Sequence, residues 1–286
     1  MDGIDARALA ISPPRRIRAF GATFGALVGS GLRRYTTYWQ ATMAGTFTNI
    51  VFGFLRCYVL LAVAAGAAGG RPGGYDPRQL ATYVWVGQGL LSVVGLWGWT
   101  DLADRIRTGD IAADLLRPVP PVTAYLAADL GRALHGMLTR FLPPVAIGAL
   151  VFTLSMPSRW QTIPLFLVSV VLAVVGSFGC RFVVNASAYW LHDARGPLML
   201  WTLGSGVLAG LYFPLRLLPR ALAVSLWVAT PLPGLFQTPL DVLVERDPPA
   251  MQAGLVLLQA FWAVAMLALA RLVQRRAERR LVVQGG

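Results

Sequence analysis

Long apolar stretches alternate with short polar connections along the 286-residue chain. A helix that crosses a bilayer needs about 20 mostly apolar residues. Five stretches meet this requirement: 45–68, 80–100, 134–156, 161–190 and 251–271. A sixth stretch, 197–213, is shorter but carries no charged residue. The pattern predicts an all-α integral membrane protein, in which one six-span domain occupies residues 41–286.

The segment before the first span is amphipathic. Its run "PPRRIRAFGATFGALVGSGL", residues 13–32, has the basic patch, paired arginine and short apolar core of a secretory signal. The run is rich in glycine, lacks a small-residue cleavage site and is followed directly by Arg33 and Arg34. These features favour a helix that lies on the membrane surface. Residues 1–40 are therefore predicted to form a cytoplasmic N-terminus with an interfacial helix.

The segment between the fifth and sixth spans, residues 214–250, is too long and too apolar for a solvated loop. Prolines divide it into pieces of about 5 to 15 residues, which are too short to cross a bilayer as continuous helices. Re-entrant or interfacial helices on the outer face are predicted here, over residues 214–240.

Composition agrees with a membrane protein, since 56% of the residues are hydrophobic and 13% are charged. The formal net charge is +12, and all 25 basic residues are arginines. Because the chain contains no lysine, it cannot form a Walker A loop, whose lysine contacts the nucleotide phosphates. Cys57 and Cys180 lie in apolar runs, where a free thiol behaves as a small hydrophobic group.

The placement of the arginines predicts the orientation of the chain. On the side opposite the N-terminus lie six of them: Arg71, Arg78, Arg159, Arg216, Arg220 and Arg246. Sixteen lie on the side of the two termini, and three lie within spans. The positive-inside rule then predicts that both termini are cytoplasmic. Topology accounts for the basic charge, so no nucleic-acid partner is expected.

The most polar stretch, "DLADRIRTGDIAADLLRPVPP" at residues 101–121, directly follows an apolar, tryptophan-rich run. Asp101 and Arg105 have the i,i+4 spacing of an ion pair on a helix. Leu102 and Ile106 share one face of the same helix. The spacing predicts a short amphipathic helix.

A second short helix is predicted directly after the first. Thr108 and Gly109 supply a stop, Asp110 is a candidate N-cap, and the helix must end before Pro118. Its apolar stripe consists of Ile111, Leu115 and Leu116. A polar connection that only joins two spans is the simpler interpretation. Two apolar stripes favour a docking element that inserts into a soluble partner while its charges fix the orientation.

Four stretches together carry a resemblance to a known family: "DLADRIRTGDIAADLLRPVPP", "YWLHDARGP", "FPLRLLPRAL" and "RRLVVQGG". The combination resembles the permease subunits of type-2 ATP-binding-cassette exporters, within the bacterial subgroup whose permease and ATPase are separate polypeptides. The resemblance implies six spans, an N-terminal elbow helix, a coupling helix between spans two and three, and re-entrant helices before span six. It also implies a location in the bacterial cytoplasmic (inner) membrane.

The resemblance further implies partners and contact residues. Two copies of the ATPase would bind ATP and Mg²⁺, and a second permease, identical or a related paralogue, would complete the complex within membrane lipid. The chain itself is expected to hold no cofactor and no metal, and not to be an enzyme. The coupling role would fall on Leu102, Arg105, Ile106, Arg107, Gly109, Asp110, Ile111, Leu115, Leu116 and Arg117, with Asp193 and Arg195 in a second cytoplasmic contact.

Ionisable residues inside a span are candidates for a cargo pathway. Arg56 and Arg181 lie deep in their spans, and we expect either one to face the pathway or to pair with a polar group such as Asn49 or Asn185. Arg140 lies closer to a membrane surface and is expected to extend its guanidinium toward that surface.

The second span carries a further set of pathway candidates. Trp85, Gln88, Ser92 and Trp99 recur at helical spacing, which predicts that they share one face. In the family that the chain resembles, span two lines the central pathway. Trp99 in an interfacial belt and Ser92 in helix packing are the alternatives.

The sequence thus predicts an ATP-driven exporter of a hydrophobic or amphipathic small molecule, lipid or peptide. One alternative is a membrane enzyme acting on lipid, in which Asp193, His192 and the interfacial segment would take part. No nucleophile-base spacing supports that alternative, and His135 and His192 lack the spacing of a metal site. A membrane sensor or immunity protein with the same architecture is the other alternative.

Overall fold

The computed structural model describes residues 13–36, 39–191 and 193–284, and all regular secondary structure in these ranges is helical. The predicted all-α class is confirmed. The helices are α1 (Pro13–Thr36), α2 (Trp39–Gly66), α3 (Pro77–Leu90), α4 (Asp101–Thr108), α5 (Ile111–Leu115), α6 (Pro121–Gly136), α7 (Leu142–Val151), α8 (Thr162–Ala186), α9 (Arg195–Leu208), α10 (Arg220–Ala229), α11 (Gln237–Leu243) and α12 (Pro249–Gln284).

Four helical segments are long and apolar enough to cross a membrane: Thr42–Gly66, Pro121–Val151, Thr162–Tyr189 and Pro249–Arg279. The second of these consists of α6 and α7, joined by a π-helical turn at Met137–Phe141. The helices within the predicted spans 80–100 and 197–213 are α3 and α9, each with 14 residues. At 1.5 Å per residue, such a helix is about 21 Å long and does not by itself cross a core of about 30 Å.

Hydrogen bonds and ion pairs show which of the segments that connect the helices lie at the same end of the bundle. At one end, the Arg246 guanidinium donates to the Gly73 carbonyl at 2.7 Å, and Ser158 N–H donates to the Glu245 carboxylate at 3.0 Å. At the other end, Arg34 in α1 pairs with Asp101 in α4 at 2.8 Å. The connections that follow α2, α7 and α11 therefore lie at one end of the bundle, and α4 lies beside α1 at the other. We call these the outer end and the inner end, following the predicted orientation.

Glycines interrupt the helix that begins at Pro77 before it reaches the inner end. After α3, a π-helical turn covers Leu91–Gly95, and Gly95 and Gly98 both have positive φ, 62° and 80°. Regular helix resumes only at Asp101. The prediction of a continuous span over 80–100 is therefore wrong at its end, because glycine readily adopts a left-handed conformation that stops a helix. Trp99 accordingly does not share a helix face with Trp85.

The helix of the third span begins at Pro121, whereas the hydropathy pattern predicts a span that begins at 134. Asp129 and Arg132 lower the mean hydropathy of this stretch. Inside the fold they form an ion pair, with 2.7 Å between Arg132 Nε and Asp129 Oδ1. The helix therefore continues through them, since a paired charge is less costly to bury than an isolated one.

The first helix packs closely along α6. A Cβ on Gly31 would collide with the backbone of Ala128, and one on Gly131 would collide with the Val28 carbonyl. These two glycines let the helix backbones approach, as small residues do in membrane helix pairs. The predicted interfacial helix at 1–40 corresponds to α1, which begins at Pro13.

Two short helices form in the apolar segment before α12. They are α10, which follows Pro219, and α11, which lies between Phe236 and Val244. Every residue of α11 is buried within the protein. The sequence predicts short helices over 214–240; α10 lies between prolines, whereas α11 contains Pro239 in its first turn.

Candidate functional site: the inner hairpin and the arginine cavity

The hairpin of α4 and α5 has the helix stop that the sequence predicts. Gly109 takes the C-cap of α4 with a φ of 83°, which a residue with a Cβ would adopt only at a cost. Asp110 occupies the N-cap of α5, but its carboxylate accepts no backbone hydrogen bond there. It accepts from the Thr108 hydroxyl at 2.8 Å instead. The carboxylate therefore closes the turn rather than capping α5.

The predicted ion pair between Asp101 and Arg105 is wrong. Arg105 lies against Asp114 of α5, with Nε to Oδ2 at 2.7 Å and Nη2 to Oδ1 at 3.0 Å. This fork-like geometry is the strongest form of an arginine–carboxylate contact, and Asp114 also accepts from the Tyr125 hydroxyl at 2.7 Å. Asp101 pairs with Arg34 instead. The charges of the hairpin thus tie it to itself, to α6 and to α1.

Each apolar stripe of the hairpin has one residue that faces the protein's own core. Leu102 and Ile111 are fully buried in a cluster that includes Phe178 and Phe182 of α8. The prediction that these stripes insert into a partner is therefore wrong for Leu102 and Ile111. They anchor the hairpin from within, because burying a leucine or isoleucine contributes about 1.5–3 kcal/mol each.

The side chain of Asn185 fixes the start of α4. Its Oδ1 accepts from the Ala103 N–H at 3.3 Å, and its Nδ2 donates to the Trp99 carbonyl at 3.0 Å. This residue was predicted for the cargo pathway. Its contacts show that it connects α8 to the hairpin.

A second group of the predicted coupling residues forms an exposed surface. Leu116 is 88% exposed. The other exposed members of the set are Arg107, Gly109, Asp110, Arg117, Asp193 and Arg195. Arg105, Ile106 and Leu115 are half-buried. This exposed surface therefore contains fewer residues than the coupling set that the sequence predicts.

The two predicted cytoplasmic contacts line one groove. Its volume is about 570 Å³, and Ile106 and Arg107 of α4 face Asp193 and Arg195 across it. Hydrogen bonds from the side chain and backbone of Arg195 lower the pKa of Asp193, so this carboxylate stays charged. His192 lies outside the described residues.

Trp85 and Gln88 of the second span are buried in protein rather than in a pathway. Trp85 has no exposed surface and fits against Gly53 and Gly148, where a Cβ would collide with its ring. Gln88 is 2% exposed, and its backbone carbonyl accepts from Asn49 Nδ2 at 3.3 Å. These residues hold α2, α3 and α7 together.

The intramembrane arginines have partners that the spacing did not predict. Arg56 Nε donates to the Tyr212 carbonyl at 3.3 Å, beside the backbone that follows α9. Arg181 Nη2 pairs with Asp129 at 2.7 Å. The asparagine partners proposed for these arginines are wrong: Arg181 meets Asn185 only through its own backbone carbonyl. Asp129 is a stronger partner for Arg181 than an asparagine would be, because a carboxylate neutralises the guanidinium charge and an amide does not.

Four of the predicted pathway residues lie together in one cavity at the break in the α3 segment. The cavity has a volume of about 260 Å³, and Asn49, Ser92, Trp99 and Arg181 line it. Five aromatic or basic residues of its wall were not predicted for the pathway: Tyr35, Trp97, Arg132, His135 and Arg140. We call this space the arginine cavity. The predicted extension of Arg140 toward a membrane surface is wrong, since its side chain lines the cavity instead.

Charge is unevenly distributed around the arginine cavity. Asp129 pairs with both Arg132 and Arg181 at 2.7 Å. Arg132 also donates to the carbonyls of the broken α3 segment, those of Ser92 at 2.6 Å and Val93 at 3.0 Å. It thereby satisfies backbone acceptors that the interrupted helix leaves open. Two guanidinium groups of the cavity wall thus share one carboxylate, and the third, that of Arg140, does not pair with it.

The i,i+3 spacing of Asp129 and Arg132 was the available signal for this cluster, since such pairs meet on one helix face. The described residues contain no group of three or more His, Cys, Asp and Glu side chains that could hold a metal ion. The chemistry of the cavity is that of cationic and aromatic groups.

A family model described as ABC-2 family transporter protein matches residues 50–285. No curated protein and no solved structure matches the chain significantly.

Proposed function

The chain belongs to the ABC-2 family of transporter proteins, and we propose that it is the permease of an exporter driven by a separate ATPase. The family match identifies it as a multi-pass membrane permease subunit. Export, the separate ATPase with its ATP and Mg²⁺, and pairing with a second permease are part of the proposal. So are a bacterial inner-membrane location and two cytoplasmic termini, which the arginine distribution supports.

The groove between Arg107 and Arg195 is the observation that carries this proposal. Two segments that lie about 90 residues apart in sequence present exposed charges on one surface at the inner end. A separate ATPase is the partner expected there, because a chain without lysine has no Walker A loop of its own. The charges suit a contact whose orientation is fixed by electrostatic complementarity.

The anchoring of the hairpin supports a mechanical role. Movement of the ATPase would push the hairpin, in which α4 is tied by Arg34 to α1 and by Asn185 to α8, and α5 is tied by Tyr125 to α6. The same three helices contribute to the wall of the arginine cavity. A rigid displacement of the hairpin would therefore change the cavity, as expected when packed elements shift between discrete arrangements. The cavity is the proposed place where a hydrophobic or amphipathic cargo is bound.

Co-purification from cells that express the tagged chain with its neighbouring genes tests the proposal. The variant combines Arg107→Glu with Leu116→Asp, which reverses one charge and removes one exposed apolar contact. We expect the wild type to retain an ATPase in mild detergent and the variant to lose it. The substitutions avoid the buried Leu102 and Ile111, so the fold should be unaffected.

A matched control places the same kinds of change at the outer end. Arg220→Glu with Met156→Asp alters an exposed arginine and a 76% exposed methionine there. This control should retain the ATPase. Loss of the ATPase from the control, or its retention by the inner-end variant, would contradict docking at the groove. A wild type that captures no ATPase would contradict the exporter itself.

A further inference from the structure

The arginine cavity contains a cation without a counter-charge. Arg132 and Arg181 share Asp129. Arg140 forms no ion pair or hydrogen bond with any described residue, and its Nε is buried without a partner. Its guanidinium instead lies against the backbone of α2 at Gly45, where a Cβ would collide with it. Glycine at this position makes room for the charge at the cavity wall.

An unpaired cation at this depth is energetically unfavourable. Arg140 lies in the helical segment Pro121–Val151, well inside its ends. Charged groups inside a membrane protein face the bundle interior and pair with a partner or mark a pathway. None of the described residues that line the cavity is acidic, and Asp129 is shared by the other two arginines, so the charge of Arg140 is available to a bound anion.

The remaining wall residues supply neutral hydrogen-bonding and apolar groups. Tyr35 and His135 lie beside each other with ring centroids 6.2 Å apart. Trp99 and Trp97 form the aromatic side, and the Arg181 guanidinium lies 5.7 Å from the Trp99 ring centroid. Cationic and aromatic groups thus adjoin in the cavity wall.

We propose that the arginine cavity binds the anionic headgroup, a phosphate or a carboxylate, of an amphipathic cargo, with Arg140 as its principal contact. The volume of about 260 Å³ is below the roughly 300–1,000 Å³ of sites that enclose a whole ligand. The headgroup alone is enclosed, and the apolar part of the cargo lies outside. This inference names the cargo class of the exporter and rests on that proposed function.

Binding of dodecyl phosphate to the purified chain tests the headgroup site directly. The chain is kept in dodecyl maltoside, so that the background detergent has the same tail without a charge. We expect saturable binding of dodecyl phosphate. Arg140→Gln should weaken it about tenfold or more, since a close charge pair in a desolvated site contributes at least that factor. Arg140→Lys should restore most of the affinity.

Two controls separate the headgroup site from other causes. Arg78→Gln removes an exposed arginine at the outer end and should leave the affinity unchanged. Thermal unfolding of each variant reports whether the fold is retained. Equal affinity of the wild type and a folded Arg140→Gln would overturn the site. Inorganic phosphate that competes as strongly as dodecyl phosphate would assign a free anion and overturn the amphipathic cargo.

The binding assay does not require an ATPase, so its failure and that of the exporter proposal are distinguishable. Capture of the ATPase without dodecyl phosphate binding would overturn the headgroup site alone. Dodecyl phosphate binding without ATPase capture would overturn the exporter alone and leave a lipid-binding site in the cavity.

Discussion

The protein buries charge at both ends of its bundle, but the two ends differ in balance. At the outer end, Arg216 pairs with Asp247 at 2.7 Å and lies 3.4 Å from Asp241. Arg246 pairs with Asp247 at 3.1 Å. The other oxygen of Asp241 accepts hydrogen bonds from the Tyr75 hydroxyl and from a side-chain amide of α11. Arg216 and Arg246 thus each have an acid beside them.

Three arginines line the arginine cavity at the inner end, and a single acid lies beside two of them. Arg132 and Arg181 are held by Asp129, whereas Arg140 has no such contact with the described residues. The difference distinguishes two uses of buried charge. A balanced network fixes loops and re-entrant helices in place, since each group satisfies another. A cluster with more arginines than acids leaves a positive charge available to a ligand.

Removing an acid from the outer network should have the largest effect on stability. Asp241→Ala would leave Arg216, Tyr75 and Gln237 without their shared acceptor. We expect a loss of about 3–5 kcal/mol, as when one partner of a buried pair is removed. Thermal unfolding in detergent measures it. A change within about 0.5 kcal/mol, the range of neutral surface substitutions, would show that the outer network is not structural.

Removing the acid of the inner cluster should destabilise the protein and also increase its response to anions. Asp129→Asn leaves Arg132 and Arg181 without a counter-charge, and we expect a loss of about 3 kcal/mol. Dodecyl phosphate should recover part of that loss, because a ligand that binds only the folded state stabilises it. Unfolding temperatures with and without dodecyl phosphate test this. Recovery no greater than in the wild type would contradict a shared anionic site.

Acid should weaken the outer end through Glu245. Burial opposes its ionisation, but hydrogen bonds from Ser158 and Thr162 and the Arg159 N–H outweigh that effect and lower its pKa from 4.5 to about 2. Its stabilisation is therefore complete above pH 4.5 and is lost as the pH falls toward 2. Glu245→Gln should cost about 1–2 kcal/mol at neutral pH. The variant should also lose less stability than the wild type between pH 5 and pH 2.5; an equal loss would contradict the assignment.

The smallest effect on stability is expected at Arg140. Arg140→Gln removes a charge that has no acid beside it, so we expect the unfolding free energy to stay within about 0.5 kcal/mol of the wild type, or to rise. A loss comparable to that of Asp241→Ala, measured by the same unfolding experiment, would show that Arg140 has a structural partner.

Local patterns in the sequence predicted much of the fold. Hydropathy located the apolar segments of α2, α8 and α12, and Gly109 marked the turn of the hairpin, because these features depend on neighbouring residues. The pairing of Arg105 with Asp114 was not predicted, since the i,i+4 rule offered Asp101 as a nearer partner. A spacing rule within one helix does not account for ion pairs that form when separate helices pack together.

The arginine cavity was harder to predict from the sequence than the helices were. Asn49, Ser92, Trp99 and Arg181 were selected for their polarity or aromaticity, and they do share a cavity. Arg140 was misassigned because depth was judged from span boundaries alone. Only the packed structure brings residues of five segments together around the break in α3.

A density map of the chain in phosphatidylcholine nanodiscs with dodecyl phosphate tests the central claim most directly, namely that the unbalanced charge of the inner end binds an anionic headgroup. The account predicts phosphate density within hydrogen-bonding distance of Arg140, beside Tyr35 and Trp99, with the alkyl chain leaving the cavity. An empty arginine cavity in a preparation that retains dodecyl phosphate, with the density at the outer network or on the bilayer surface, would contradict it.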